Sequence, residues 1–401
     1  MSKKLVIVGG GNSAHTIIPL LSKADFDVSV MTSRPQDWSH TIKLEYQNTE
    51  GKVLQTYQGK IDVITSNPKE CIPQADYVIL CMPVHKYRVA LHHIAPYINR
   101  EKNVVIGTVY GQGGFNWMIE EIQQKYNLSN LVVFAFGLIP WICRTKKYGH
   151  VGVTYGVKDK NAAVVYPKTY FEQVNKELFE PICYDWFGTG KVELLSNFIS
   201  ITLAVDNQII HPTRCYAIHK ESGGSWAQLE DVPLFYKDYD AFSAQCLADL
   251  DDDYTKIRER IKALYPEGDF HYMLNYMDLE HYTYGSSSLD IVDSFVNSPT
   301  LQAIGTPVVV NDNGEIELDK NGRFFMDDIY YGVAIAKGIA EILQIEVPMI
   351  DKILHWAQDL RNEQIISNDN KLMLNSVDLS APMKSGIPYF YGKTTIAEIV
   401  D

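Results

Sequence analysis

A run of glycines near the start of the chain has the spacing that binds a dinucleotide. The apolar run at residues 4–8 is followed at once by a G-x-G-x-x-A pattern, formed by Gly9, Gly11 and Ala14. The first glycine permits a tight turn, the second lets the backbone approach a pyrophosphate, and the small third residue lets a helix pack closely. Asn12 begins a helical pattern whose N-terminal N–H groups favour an anion. We therefore predict nucleotide binding here in preference to a purely structural glycine turn.

The end of the second apolar run bears on which dinucleotide is bound. Residues 28–31 are followed by two hydroxyls and a guanidinium, those of Thr32, Ser33 and Arg34, and no carboxylate occurs before Asp37. An NAD enzyme usually places Asp or Glu at this point to hold the ribose hydroxyls, whereas a guanidinium suits a 2′-phosphate. The residues therefore favour NADP over NAD. The alternative is that Arg34 is an exposed loop residue and that either cofactor is accepted.

The fourth apolar run, residues 76–81, ends where a dinucleotide-binding fold places the nicotinamide half of the cofactor. Pro83 follows that run after Met82. It can shape the loop over the cofactor, or it can start the next helix, and the sequence leaves both roles open.

The first half of the chain alternates short β-branched runs with amphipathic segments. The strand-like runs are residues 4–8, 27–31, 61–65, 76–81, 103–107 and 131–135. Most are too apolar to be half-exposed, which indicates a parallel sheet covered by helices on both faces. Residues 41–60 have the pattern of a small insertion with a turn at 48–51.

After about residue 190 longer helical patterns replace the strands. They cover residues 192–210, 240–264, 327–344 and 348–364. Pro348 suits a first helical turn, and Asp327 is a plausible N-cap. We therefore predict an α/β N-terminal domain with a Rossmann-type doubly wound sheet, residues 1–190. An all-α C-terminal domain, residues 191–401, follows it.

Composition excludes several classes of protein. Apolar residues make up 46% and charged residues 21%, which is typical of a globular protein and not of a disordered or fibrous one. The net charge of −13 argues against nucleic-acid binding, and no apolar run reaches the length of a membrane span. The N-terminus enters the first strand directly, so we expect a cytoplasmic protein. We expect either a monomer or a homodimer. The six cysteines lack the spacing of a metal site or a disulfide framework.

Several separated segments resemble the octopine/nopaline (opine) dehydrogenase family. They are residues 9–16 (GGGNSAHT), 111–115 (GQGGF), 140–144 (PWICR), 210–212 (IHP), 233–236 (PLFY), 321–328 (NGRFFMDD) and 355–358 (HWAQ). The resemblance implies a dinucleotide-binding domain and a helical domain, with the active site in the cleft between them. It also implies reductive condensation of an α-keto acid, most commonly pyruvate, with the amino group of an amino acid by a reduced nicotinamide cofactor.

That reaction needs a group that gives and takes a proton near neutral pH, a property of histidine. His211 closes the helical pattern 192–210 and precedes Pro212, so we expect it at a helix C-terminus, where a protonated ring is favoured. The resemblance makes it the catalytic histidine and makes Asp328 the carboxylate that orients it. A histidine that only caps the helix is the alternative, and Asp327 is the alternative partner.

The substrate carboxylates need fixed cations or N–H donors, and the fork of an arginine suits a carboxylate. Arg323 precedes the predicted helix near residue 327, and the resemblance gives it that role; a surface arginine on a turn is the alternative. Gln112 lies in a glycine-rich loop and can bind the nicotinamide or the substrate. We expect Trp141 in the wall of the site, with the core as the alternative, and the resemblance places Cys143 beside the nicotinamide.

Two other functions stay open. A 2-hydroxyacid or ketopantoate-type carbonyl reductase also joins a dinucleotide domain to a helical one, but it usually relies on a lysine, whereas this chain offers His211 and Arg323. A requirement for an amine co-substrate separates the two enzymes. A non-catalytic dinucleotide-binding protein would bind the cofactor and reduce nothing.

Overall fold

The computed structural model of this chain describes residues 2–204, 206–302, 304–376 and 385–400. Its internal contacts divide it into two units. The first unit contains Met1–Ile201 with Tyr282–Gly285, and the second contains Thr202–His281 with Ser286–Asp401.

The strands of the first unit follow the apolar runs of the sequence. They are β1 (Lys3–Val8), β2 (Phe26–Met31), β3 (Thr41–Gln47), β4 (Val53–Lys60), β5 (Val63–Thr65), β6 (Tyr77–Leu80), β7 (Val104–Thr108), β8 (Leu131–Phe136), β9 (Trp141–Lys147), β10 (Val151–Val157), β11 (Lys160–Tyr166) and β12 (Lys191–Leu194). Eight of them form one sheet in the order β12-β11-β8-β7-β6-β1-β2-β5. The six strand-like runs predicted from the sequence all lie in this sheet.

The middle of this sheet is parallel, as predicted. Strand β1 pairs in parallel with β2 on one side and with β6 on the other, and β7 and β8 continue the parallel series. The carboxyl ends of β1, β2 and β6 therefore meet at one edge, where a doubly wound sheet binds its ligand. Strand β11 pairs antiparallel with β8, and β12 pairs parallel with β11, so the sheet extends beyond residue 190. For that reason the division at 201/202 comes later than the predicted boundary.

The insertion expected at residues 41–60 is a β-hairpin. Strands β3 and β4 pair antiparallel, and the turn between them closes when the Asn48 N–H donates to the Lys52 carbonyl at 3.0 Å. With β9 and β10 they form a second sheet in the order β4-β3-β10-β9. This sheet packs against the first helix of the chain, so it lies beside the glycine-rich turn.

The helices of the first unit follow the strands of the large sheet. They are α1 (Asn12–Leu20), α2 (Tyr87–Ile94), α3 (Phe115–Tyr126) and α4 (Phe171–Val174), which continues as a π-helical segment at Asn175–Tyr184. Apolar residues of α1 and of that segment join those of the sheet in a single buried core.

The second unit is mainly helical, as expected. Its helices are α5 (Phe198–Leu203, which begins in the first unit), α6 (Asn207–Ser222), α7 (Ala241–Leu264), α8 (Tyr276–Tyr284), α9 (Ile291–Val296), α10 (Arg323–Met326), α11 (Ala334–Leu343), α12 (Pro348–Arg361) and α13 (Ile396–Val400). Helices α7 and α12 confirm two of the predicted patterns, and Pro348 is the first residue of α12. A small sheet of β13 (Ser225–Trp226), β14 (Val308–Val310) and β15 (Ile316–Leu318) is an addition that the sequence did not predict.

Two helical predictions are wrong. The pattern at 192–210 is divided among β12, α5 and the start of α6, because the side chain of Asp206 caps a new helix by accepting the Asn207 N–H. Asp327 does not begin a helix, since α10 already starts at Arg323 with Gly322 as its N-cap. A π-helical turn at Ile329–Val333 then joins α10 to α11. Among the described residues, no helix has both the length and the hydropathy that crossing a membrane requires.

Candidate active site

The glycine-rich turn between β1 and α1 is packed tightly on the end of β6. Gly9 has a φ of +103°, and its N–H donates to the Met31 carbonyl at 2.8 Å. A β-carbon on Gly9 would lie 2.6 Å from the Cys81 carbonyl oxygen, and one on Gly11 would lie 2.9 Å from it. Ala14 is fully buried behind the turn. The turn therefore excludes side chains and leaves the start of α1 as a backbone cradle that fits a dinucleotide diphosphate.

Two polar side chains tie the first turns of α1 to the β9–β10 hairpin. The Asn12 amide oxygen accepts hydrogen bonds from the N–H and the hydroxyl of Thr145, at 3.0 and 2.8 Å. His15 is fully buried; its Nδ1 lies 2.9 Å from the Gly11 carbonyl, and its Nε2 accepts the Gly149 N–H at 2.8 Å. Burial lowers the pKa of His15, which keeps the ring neutral with its proton on Nδ1. Asn12, predicted to bind the cofactor, thus has its amide oxygen engaged within the protein.

The end of β2 carries the arginine that was predicted to select the cofactor. The guanidinium of Arg34 lies over the ring of Tyr148, 3.9 Å from its centroid, and its Nε lies 3.8 Å from an Asp37 oxygen. The Tyr148 hydroxyl is 3.2 Å from the Thr32 hydroxyl, while Ser33 is exposed. Because 56% of the Arg34 side chain is exposed, the cation is oriented and yet accessible to an anion.

In the second unit a histidine and an aspartate form a buried pair, which we call the dyad. Nδ1 of His211 lies 2.7 Å from Oδ2 of Asp328, and the two side chains are 2% and 6% exposed. Burial raises the pKa of the Asp328 carboxyl well above its usual value; the negative charge of Asp327 adds to this effect, and Arg323 opposes it. The two groups are therefore suited to share and exchange a proton away from bulk water.

The predicted place of His211 at the end of a helix is wrong. Helix α6 begins at Asn207 and continues through Pro212, so the histidine lies near the N-terminal end of the helix. The helix dipole there disfavours a protonated ring. Stabilisation of the imidazolium consequently depends on Asp328.

Aromatic side chains fix the plane of the imidazole. Its Nε2 lies 3.1 Å from the phenol oxygen of Tyr236. The Phe324 ring stacks on the His211 ring with 3.6 Å between centroids and 13° between planes, and Phe235 contacts it edge-on at 5.7 Å. Both ring nitrogens of His211 are thus in hydrogen-bond range of a partner, and one face of the ring is covered.

Arg323 is the first residue of α10 and does not lie in the loop before it, contrary to the prediction. Its side chain is exposed, and its guanidinium carbon lies 5.3 Å from the centroid of Phe324. Since Phe324 stacks on His211, the accessible guanidinium of Arg323 belongs to the residue next to the ring that covers the imidazole. This position is consistent with binding a substrate carboxylate.

A buried ion pair holds the turn that leads to this arginine. Arg361 pairs with Glu363 at 2.6 Å between Nη2 and Oε1. Its Nη1 donates to the Lys320 carbonyl and to the Asn321 side-chain oxygen, the latter at 3.1 Å. The start of α10 is therefore fixed from helix α12.

Comparison with known proteins supports the resemblance found in the sequence. Residues 194–361 match the family model described as NAD/NADP octopine/nopaline dehydrogenase, alpha-helical domain, and residues 4–110 match the one described as NADP oxidoreductase coenzyme F420-dependent. An opine dehydrogenase of Haliotis discus hannai is 26% identical over 100% of both chains. A tauropine dehydrogenase of Arabella iricolor is 25% identical over 99% of each. The chain is thus similar to the octopine/nopaline dehydrogenase family, by the family model over its helical half and by these relatives over nearly its whole length.

The fold agrees with this similarity. An octopine dehydrogenase structure determined with NADH and L-arginine superposes with a TM-score of 0.81 at 21% identity, covering 100% of this chain and 98% of that one. The resemblance detected in the separated segments is confirmed. The matched helical-domain model and the similar dehydrogenases show that the chain is an NAD(P)-dependent dehydrogenase.

Two residues predicted to bind substrate are buried in the first unit of this dehydrogenase. The indole of Trp141 is 2% exposed within the apolar core and donates to the Ile182 carbonyl at 2.7 Å. The structure thus places Trp141 in the core, which was the alternative to the predicted place in the wall of the site. Gln112 is fully buried; its oxygen accepts the Tyr110 hydroxyl at 2.8 Å, and its nitrogen donates to the Gly137 carbonyl at 3.3 Å.

The remaining predicted cofactor residues lie near the carboxyl end of β6. Cys143 is a buried residue of β9 near Cys81; burial raises the pKa of the Cys81 thiol, and Cys143 adds to this effect. Pro83 is exposed and precedes a short helical turn, Val84–Lys86, that leads into α2. This agrees with one of the two roles left open for Pro83, and its role in shaping the loop over the cofactor stays a prediction.

Sequence reasoning gave no role to three residues that the structure brings to these sites, namely Tyr148, Tyr236 and Phe324. Tyr236 and Phe324 lie in segments that carried the family resemblance, but each is far from His211 in the chain. Tyr148 lies in the β9–β10 turn and reaches β2 through the tertiary fold. No local pattern marks any of the three.

Proposed function

We propose that this dehydrogenase condenses an α-keto acid with the amino group of an amino acid and reduces the resulting imine with NAD(P)H. The observation that carries the proposal is the buried dyad of His211 and Asp328, held by Tyr236 and Phe324, in a chain similar to this family. Relatives named for opine and tauropine, together with octopine dehydrogenase structures containing pyruvate or L-arginine, support these substrate classes. Pyruvate is the first keto acid to test.

The residues of the first unit fit a dinucleotide. The tight turn at Gly9 and Gly11 would hold the diphosphate by its backbone, and Thr32, Ser33 and Arg34 would hold the ribose end. When bound, the reduced nicotinamide supplies the hydride. We infer that NADPH is used at least as well as NADH, because the exposed Arg34 cation suits a 2′-phosphate.

The dyad supplies proton transfer. As the amine attacks the keto carbon, the proton lost by the amine nitrogen passes through His211 to the keto oxygen and forms the carbinolamine hydroxyl. A second proton, from the His211 imidazolium, lets this hydroxyl leave as water and gives an iminium that can accept the hydride. Asp328 binds Nδ1 and stabilises the charged ring, so that Nε2 is the nitrogen that exchanges protons. Arg323 binds a substrate carboxylate through its accessible guanidinium.

The test is the loss of absorbance of the reduced nicotinamide. NADPH and NADH are run in parallel with pyruvate and other α-keto acids, each with and without a panel of amino acids. Oxidation that needs both keto acid and amine is the expected result. Oxidation with a keto acid alone would instead establish a carbonyl reductase, and no oxidation with any pair would disprove the proposal.

A further inference from the structure

We propose that Tyr236 is a positioning residue of the dyad, whose phenol stabilises His211 in both of its protonation states. The inference rests on the proposed function, in which the histidine exchanges protons with the substrate. It adds a third member to the pair, in the order Asp328–His211–Tyr236. Segment 233–236 carried the family resemblance, yet neither the fold nor the dyad alone explains why its tyrosine is placed at the imidazole.

The hydrogen bonds show what the phenol does in each state. When Nδ1 of His211 carries the proton toward Asp328, at 2.7 Å, Nε2 has a lone pair and accepts the phenol O–H, at 3.1 Å. When the ring gains a second proton, Nε2–H becomes a donor and the phenol oxygen accepts it. A hydroxyl can reverse its role in this way, and a phenyl ring cannot.

The tyrosine is held by the same helix that carries the histidine. Arg214 follows His211 by three residues on α6, and its guanidinium is 1% exposed. It donates to the Phe235 carbonyl at 3.0 Å and to the Asp238 carbonyl at 2.6 Å, one on each side of Tyr236. Helix α6 therefore fixes both ends of the hydrogen bond between the imidazole and the phenol.

Other titratable groups around the dyad also act on the charge of His211. The titratable groups there are Asp206, Arg214 and Cys215 from α6 and its cap, Arg323 from α10, Asp327 and Asp328 after it, Tyr236, Tyr239 and Asp240 from the loop before α7, and Tyr254 from α7. Arg214 is neutralised by Asp240 at 2.7 Å. Phe324 stacks on one face of the His211 ring, and Phe235 contacts its edge.

Loss of the phenol has a predictable sign. The hydrogen bond from the imidazolium N–H to the phenol oxygen has a charged donor, and it is stronger than the bond from the phenol O–H to the neutral imidazole. Removing the phenol therefore destabilises the imidazolium more than the neutral ring. The pKa of His211 then falls. In the reductive direction the imidazolium is the acid. As the pH rises, the variant without the phenol should therefore lose activity at a lower pH than the wild type does.

The first experiment compares Tyr236→Phe with Tyr239→Phe. Tyr239 lies in the same loop, is equally buried, and packs its ring on Phe295 as Tyr236 does. We expect Tyr236→Phe to lower kcat about 10- to 100-fold with the keto-acid KM within about 3-fold, and to shift the alkaline limb of kcat/KM down by about half to one pH unit. The control should change kcat less than about 2-fold. Equal kcat and superimposable pH profiles for the two variants would overturn the proposal.

The second experiment needs no substrate and keeps the hydroxyl. Replacement of Tyr236 by 3-fluorotyrosine makes the phenol a better donor and a poorer acceptor, and both changes lower the pKa of His211. NMR titration of histidine-labelled protein should show that decrease, and the same replacement at Tyr239 should not. A His211 titration that is unmoved in both the fluorinated protein and Tyr236→Phe would refute the role. A wild-type protein that reduces no pair of keto acid and amine would refute the proposed function, while this titration would still decide the role of Tyr236.

Discussion

The glycine-rich turn of the first unit and the dyad of the second are built in opposite ways. The turn places Gly9 and Gly11 two residues apart, and its contacts are backbone contacts to the neighbouring strands. The dyad joins His211 to Asp328 across 117 residues, through side chains alone. The turn depends on the absence of side chains, whereas the dyad depends on particular side chains brought together from separate elements.

The two regions should therefore fail in different ways when they are changed. Damage to the turn should weaken cofactor binding, whereas damage to the dyad should stop proton transfer and leave the cofactor bound. Four variants test this separation, and a fifth, His15→Gln, tests the stability of the first unit.

The largest effect is expected from His211→Gln. Without the imidazole, kcat for the keto acid and amine pair should fall about 100-fold or more, because general acid–base catalysis typically contributes at least that factor. Cofactor affinity, measured by nicotinamide fluorescence, should stay within about 2-fold because the cradle lies in the other unit. His219→Gln, on the same helix, serves as the control and should retain turnover. A parallel loss of cofactor affinity in His211→Gln would break the proposed separation.

Gly9→Ala should have the next largest effect. Its β-carbon would lie 2.6 Å from the Cys81 carbonyl oxygen at a φ of +103°, so the turn must open. We expect cofactor affinity to fall about 10-fold or more, with a loss of stability on the order of 1–3 kcal/mol.

Gly51→Ala separates backbone strain from lost space. Gly51 also has a positive φ, +81°, but no atom of the described residues lies within 4 Å of the added carbon. Gly51→Ala should lower the free energy of unfolding, measured by thermal melting, by about 1–2 kcal/mol and leave the cofactor Kd unchanged. Equal affinities for the two variants would show that the turn is not the cradle.

Arg34→Gln sharpens the comparison within the first unit. The guanidinium lies on Tyr148 with more than half of its side chain exposed, which suits an additional phosphate. The kcat/KM for NADPH should fall about 10-fold and that for NADH less than about 3-fold, since one charge-assisted contact is lost. Arg100→Gln, another exposed arginine of this unit, is the control. An equal decrease of kcat/KM for NADPH and NADH would show that Arg34 does not select between the two cofactors.

The smallest effect is expected from His15→Gln and concerns stability alone. Burial lowers the pKa of His15 below 6.5, so under acid conditions the unfolded chain takes up a proton that the folded chain does not. Stability is therefore fully present above about pH 6.5 and is lost as the pH falls toward the lower, folded-state value. Thermal melting of the wild type between about pH 7.5 and 5.5 should thus fall more steeply than that of His15→Gln. Parallel curves would contradict this, and exposed His93→Gln is the control.

Local periodicity was sufficient for much of the fold. Buried strands are continuous apolar runs, so β1, β2 and β5–β8 were visible in the sequence, as were the insertion at 41–60 and helices α7 and α12. The same periodicity failed at 192–210, because a short strand and two helix starts can have the apolar spacing of one helix. It also failed at Asp327, since a residue typical of N-caps can equally follow a helix that has already begun.

The sequence by itself determined the glycine cradle, because tight turns, close backbone approach and positive φ act within a few residues. It also named His211, Asp328 and Arg323, but only through the resemblance to a family. Tertiary structure alone decided that Tyr236 reaches Nε2 and that Phe324 covers the ring. It likewise placed Trp141 in the core and His15 in the interior. The physical reason is that a side chain's partners across tens of residues depend on how elements pack, and neighbouring residues in the chain carry no record of that packing.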